Sequence, residues 1–237
     1  MSLVLSQQSD AAPVVRVYVV RHGETDANLR GIVQGHLDTA LNATGVAQAR
    51  LAADALADVP FSAAYCSDLQ RARKTAQIIL GDHPDVELQE CSALRERFMG
   101  DWQGEFISER GDAPTNLEPT AEFVARATRW WNDTIGRHAQ RAAALRSRRP
   151  AAQSDEDEDE PVHVLVVSHG GLIGTLATAL LGSRKVRAGR GVLVGRCFNA
   201  SISVFELNGR GKGALVSYAD TTHLDGELVQ DNADVQP

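Results

Sequence analysis

At 237 residues, 43% hydrophobic and 23% charged, the chain carries enough apolar material to bury a full core as one globular domain over 1–237. Its net charge of −7 overstates its acidity, because the run DEDEDE from Asp155 to Glu160 supplies six negative charges and leaves a nearly neutral body with no general pull on nucleic acid. No stretch approaches the ~18 apolar residues of a membrane helix, the start MSLVLSQQSDAAP lacks the basic n-region of a signal peptide, and the widely spaced Cys66, Cys91 and Cys197 make neither a disulfide framework nor a zinc site.

Such a chain is expected to be soluble and cytoplasmic, with neither nucleic acid nor membrane as partner. Val14 to Val20, VVRVYVV, is rich in β-branched residues and too apolar for a surface strand, which suits a parallel strand covered on both faces. Gly23 follows and ends it. Thr44 to Leu56 sets Val46, Ala49, Ala53 and Leu56 at helical spacing, with Asn42 or Thr44 available as the cap, and reads as a crossover helix. Ala63 to Ser67 gives a second strand and Leu69 to Leu80 a second helix, so the order is β, α, β, α. Glu118 to Leu145 is amphipathic, with Phe123, Ala127, Trp130, Trp131 and Ile135 on the apolar side and a basic later half expected to fray past Ala144. Ser147 to Pro161, poor in apolar residues and carrying the acidic block, reads as a disordered insertion. Beyond it, Val162 to Val167 repeats the character of the first strand and runs into Ser168, His169, Gly170, Gly171 and the helical LIGTLATALL. Ile202–Leu207 and Ala214–Tyr218 read as strands at the sheet edges, and the tail from Asp225 is polar.

In a parallel sheet, ligands bind beyond the carboxyl ends of the strands, and His22 and His169 each sit immediately after an apolar strand. The pattern therefore brings the two histidines together. Each is followed by glycine, which permits close backbone approach, and a helix starting at Gly170 offers N–H groups to an anion. Phosphate fits this pattern. Zinc does not: there is no HExxH or other compact ligand spacing, and Arg21 beside a ligand histidine would repel the metal.

The stretches RHGETDANLRGIVQGHLDTALNATGVAQA, SDLQRARKTA, LRERFMGDWQG and SHGG resemble, in order, four signatures of the histidine phosphatase superfamily, in its phosphoglycerate mutase-like branch. The resemblance implies an α/β fold: a three-layer α/β/α sandwich with a mostly parallel central sheet and helices on both faces. It implies His22 as the nucleophile, with Arg21, Arg71 and His169 holding phosphoryl oxygens, Asn28 and Gly170 as further donors, and Glu96 of LRER as the proton donor. No cofactor and no metal is implied, since arginine and histidine take the metal's place, and the partner is a small phosphorylated substrate. These roles suit phosphoryl transfer, in which the protein supplies position and fixed positive charge. Guanidinium groups beside His22 keep its imidazole neutral, and partial burial of Glu96 would favour its protonated form.

On the residues alone, other roles stay open: Arg71, near Arg73 and Lys74, as a solvated surface cation; Glu96 as an ion-pair partner of Arg95 or Arg97; Asn28 as a helix cap; Glu24 as a salt-bridge partner; Trp102 as packing. His83, His138, His163 and His223 lie outside the motif stretches, and neither they nor His36, within the first stretch, take assigned chemistry. Mutases that resemble this chain at RHGE carry a longer basic segment after the acid motif. Here that place reads ERFMGDWQGEFISERGDAPTNLEP, short and acidic, which favours a phosphatase over a cofactor-dependent mutase. If the segment Glu105–Pro119 caps a small pocket, the substrate is a sugar phosphate, bisphosphate or phosphoglycerate; an open pocket would admit a phosphoprotein. The intact set Arg21, His22, Arg71, Glu96 and His169 argues against a noncatalytic scaffold.

Overall fold

The computed structural model describes residues 12–148, 160–224 and 226–229. Most of the insertion expected at 147–161, and the tail beyond 229, lie outside these residues. In chain order the elements are β1 (Val15–Arg21), α1 (Asp26–Arg30), α2 (Ala43–Leu56), β2 (Phe61–Cys66), α3 (Gln70–Ile79), β3 (Leu88–Glu90), α4 (Thr120–Ser147), β4 (Val162–Ser168), α5 (Gly170–Gly182), β5 (Val186–Ala188), β6 (Ile202–Leu207) and β7 (Gly213–Asp220). Among the described residues the strands form one sheet in the order β3-β2-β4-β1-β6-β7-β5. β3, β2, β4 and β1 are parallel neighbours, as are β5 and β7, whereas β6 is antiparallel to both its neighbours. The fold is thus the α/β sandwich expected.

β1 and β4 are buried on both faces because their side chains serve two cores. Val17, Val19, Val164 and Val166 pack with Trp131 and Ile135 of α4 and Leu172 and Leu176 of α5. Val20, Leu165 and Val167 face the other way, onto Ala52, Ala53 and Leu56 of α2 and Ala72, Ala76 and Ile79 of α3. The side chains expected on the apolar side of α4 are all buried, and Trp131 meets the Phe205 ring at 5.0 Å.

Two expectations need correction, and one role left open is closed. β6 and β7 are interior strands, and the short β3 and β5 form the edges. β6 carries the polar Ser203 and Glu206, but Ser203 Oγ accepts from Ala219 N and Glu206 pairs with Arg16, so both polar groups are partnered at an interior strand. α4 continues to Ser147 rather than fraying past Ala144, since Arg146 ties its last turn to the carbonyls of Pro13 and Glu160. Finally, Asn28 is not a helix N-cap. Thr25 caps α1, and Asn28 occupies the third helical position of a capping box.

Candidate active site

The β1–β4 pairing runs without slip from Val15↔Val162 to Arg21↔Ser168, so the next residue on each strand, His22 and His169, emerges at the same level. Their ring centroids lie 5.1 Å apart. Past His22 the chain turns under the first turn of α2, so closely that a Cβ on Gly23 would lie 2.3 Å from Gly45 O. Gly23 N donates to Thr75 Oγ1 at 3.1 Å and Glu24 N to Gln48 Oε1 at 2.8 Å, which locks this turn. Glu24 is fully buried and accepts from Asn42 Nδ2.

The His22 ring has a defined tautomer. Nδ1 lies 2.7 Å from Gly23 O, and a carbonyl only accepts, so Nδ1 carries the proton and Nε2 the lone pair. Arg71 Nε donates to that Nε2 at 3.3 Å. Burial, with Arg71 and Arg21 alongside, holds the imidazole well below its ordinary value of 6.5 and hence neutral. His169 is lowered in the same way, by burial first and then by Arg71, His22 and Arg21. Its Nε2 contacts Ser67 Oγ at 2.8 Å, while its buried Nδ1 has no hydrogen-bond partner.

Both arginines are buried, Arg21 at 0% and Arg71 at 1% exposure, so the solvated alternative for Arg71 falls away. Arg71, in the first turn of α3, is gripped by the carbonyls of Leu37 (2.7 Å) and Gly35 (2.9 Å). Arg21 Nη1 donates to Cys197 O at 2.7 Å. Backbone carbonyls thus hold both guanidinium groups in place.

Glu96 is held from both sides: Oε2 accepts from Gly171 N and Oε1 from Arg97 N, each at 2.8 Å. Its own carbonyl is bound by Arg126 Nη2 and His36 Nε2. Arg95 pairs with Asp68, and Arg97 Nε donates to Glu118 O. The opening turn of α5 thus spends one N–H, that of Gly171, on a carboxylate of the protein.

A cavity of about 110 Å³ opens over these groups. His22, Arg71, His169, Glu96 and Gly171 line one side, and Ile32, Val33, Met99 and Phe123 an apolar wall. Residues 105–119 are not in its lining, so the size of the pocket is not set by a cap from that segment, and Trp102, whose ring carries the Arg110 guanidinium at 4.9 Å, does not line it either. Arg21, Asn28 and Gly170 are buried close by but do not line the cavity. Asn28 Oδ1 accepts from Thr25 N at 3.2 Å, and its Nδ2 is buried without a partner. No motif marks the segment Cys197–Ser201, which binds the backbone of both Arg21 and His22 from a distance of some 180 positions: Arg21 N donates to Ser201 O, Ala200 N to His22 O, and Asn199 Nδ2 to His22 O. Among the described residues, no three His, Cys, Asp or Glu side chains converge as metal ligands, and no helix is long and apolar enough to cross a membrane.

A profile of the Histidine phosphatase superfamily (branch 1) matches residues 17–221. Phosphoglycerate mutase-like protein 4 of Arabidopsis thaliana is 33% identical over 222 residues, 93% of this chain and 90% of that protein. The adenosylcobalamin/alpha-ribazole phosphatase of Salmonella typhimurium is 34% identical over 169 residues, 70% of this chain and 80% of its own. Among solved structures, a mycobacterial glucosyl-3-phosphoglycerate phosphatase complexed with VO3 superposes with a TM-score of 0.57 at 28% identity, covering 81% of this chain and 92% of that one.

Proposed function

The chain belongs to the histidine phosphatase superfamily, branch 1, and within that family we propose that it is a metal-independent phosphomonoester hydrolase acting on a small phosphorylated metabolite through a phosphohistidine on His22. The observation that carries this reading is the His22 ring, buried and neutral, with Nδ1–H committed to Gly23 O and the Nε2 lone pair turned to the guanidinium of Arg71. Nε2 attacks phosphorus, the ester P–O bond breaks, and the departing alcohol oxygen takes a proton from the Glu96 carboxyl. A water then gives a proton to the Glu96 carboxylate and attacks the phosphohistidine, and the N–P bond breaks to release inorganic phosphate. Arg71 and His169, lining the cavity, bind the equatorial oxygens; the buried Arg21, next to His22 in the chain, adds positive charge, and the amide of Asn28 and the Gly170 N–H supply further donors.

The small cavity with its apolar wall suits a compact alcohol rather than a polymer. Relatives named for alpha-ribazole phosphate and glucosyl-3-phosphoglycerate support a phosphorylated metabolite as substrate, of the sugar phosphate, bisphosphate or phosphoglycerate type. The test is turnover of p-nitrophenyl phosphate and a panel of metabolite phosphates in excess chelator. Hydrolysis that persists with chelator and disappears in His22→Ala is expected; hydrolysis surviving in His22→Ala, or lost to chelator, overturns the reading.

A further inference from the structure

We propose that Asn199 is a positioning residue that aims the amide of Asn28 at the phosphoryl group on His22. The inference rests on the hydrolase reading above and adds a residue to it from a loop remote in sequence.

The argument follows the hydrogen-bond roles outward from the nucleophile. His22 O is a carbonyl and only accepts, so the Asn199 amide must turn its nitrogen toward it, at 3.0 Å. The same Nδ2 reaches Asn28 at 3.5 Å, and it meets Oδ1 there because an amide nitrogen must be answered by an acceptor. Thr25 N, also a compulsory donor, points at the same Oδ1 from 3.2 Å. With two donors converging on its oxygen, Asn28 has one amide orientation, and its Nδ2 is left buried and without a partner. A buried unsatisfied donor is costly unless a ligand completes it, and a phosphoryl oxygen on the adjacent histidine is the acceptor the site otherwise lacks.

The backbone holding Asn199 is fixed. Ala200 takes a left-handed conformation, φ 55°, that non-glycine residues adopt only where their surroundings impose it. Its N–H donates to His22 O at 3.2 Å, and three residues earlier Cys197 O accepts from Arg21 Nη1. Asn199 itself is 3% exposed. One short segment therefore clamps the nucleophile's carbonyl, a phosphate-site arginine and the orientation of Asn28.

The experiment is a double-mutant cycle in the full chain, read as kcat/KM for p-nitrophenyl phosphate. Asn28→Ala removes a donor to a charged ligand and is expected to lower kcat/KM by about 10- to 100-fold. Asn199→Ala is expected to lower it by about 10-fold, and the double variant to lose at least about threefold less than the product of the two single losses, because the part of the Asn199 effect that passes through Asn28 is already gone while its hydrogen bond to His22 O is still there to lose. Multiplicative losses, or an Asn199→Ala enzyme that loses only thermal stability, overturn the proposal. Should Asn199→Ala fail to fold, Asn199→Ser takes its place in the cycle under the same criterion. An Asn28→Ala enzyme with unchanged kcat/KM refutes the donor role of Asn28, and this inference with it, while leaving the His22 test of hydrolysis standing.

Discussion

Replacing Gly171 by alanine probes the proton donor without touching it. A Cβ at this position would lie 2.5 Å from Glu96 Oε1 and 2.9 Å from Oε2, where ordinary contact begins at 3.4 Å. The carboxyl must therefore retreat by roughly 1 Å, and a misplacement of that size costs on the order of 100-fold in rate. The loss depends on the leaving group. An alkyl phosphate releases an alkoxide that needs a proton as the P–O bond breaks, whereas p-nitrophenolate departs without one. The quantity to measure is kcat/KM, which reports P–O cleavage and is blind to the later hydrolysis of the phosphoenzyme. Gly171→Ala is predicted to lower kcat/KM by about 100-fold for an alkyl phosphate and by less than about 10-fold for p-nitrophenyl phosphate. Circular dichroism of the variant checks that the fold is retained. Equal losses on the two substrates, or no loss on either, would refute the assignment of Glu96 as the acid seated on α5.

The His22 ring, followed by NMR in histidine-labelled protein, is predicted to stay neutral at pH 6.5, where a free imidazole is half protonated, and Arg71→Met to move its titration upward. Burial depresses His22, His36, His138, His163, His169 and His223 alike, so the unfolded chain takes up protons that the folded one refuses. Stability is therefore complete above 6.5 and falls as the pH drops below it, which urea midpoints at pH 7.5 and 5.5 would register as a lower value in acid. A flat profile across that window would contradict this. Burial also pushes the Cys66 thiol up to about 12, and Cys197 is buried as well, so a thiol reagent is expected to titrate Cys91 alone in the native protein and all three cysteines in denaturant.

Much of the architecture was readable because its main signals are local. β1 and β4 announce themselves as β-branched runs ending in histidine, and their unslipped register follows from both being buried on two faces. The helical stripes of α2 and α4 reflect burial against those strands. Elements too short to show a pattern escaped: β3 and β5 are three residues long, whereas β6 was legible as a strand over Ile202–Leu207 and only its interior place in the sheet was not. In the cavity, the motifs name His22, Arg71, His169 and Glu96, and the fold brings these four together. What they omit is support from far along the chain. Cys197 offers Arg21 only a carbonyl, Asn199 makes its contacts across 171 and 177 positions, and Gly171 matters for the space it leaves, none of which a residue type reveals.

The most direct test is to trap the intermediate. Rapid quenching of the enzyme during hydrolysis of a radiolabelled phosphomonoester, followed by mapping, is predicted to yield an acid-labile, base-stable phosphoryl group on Nε2 of His22. Sustained turnover with no labelled histidine, or with the label on another residue, would contradict the account.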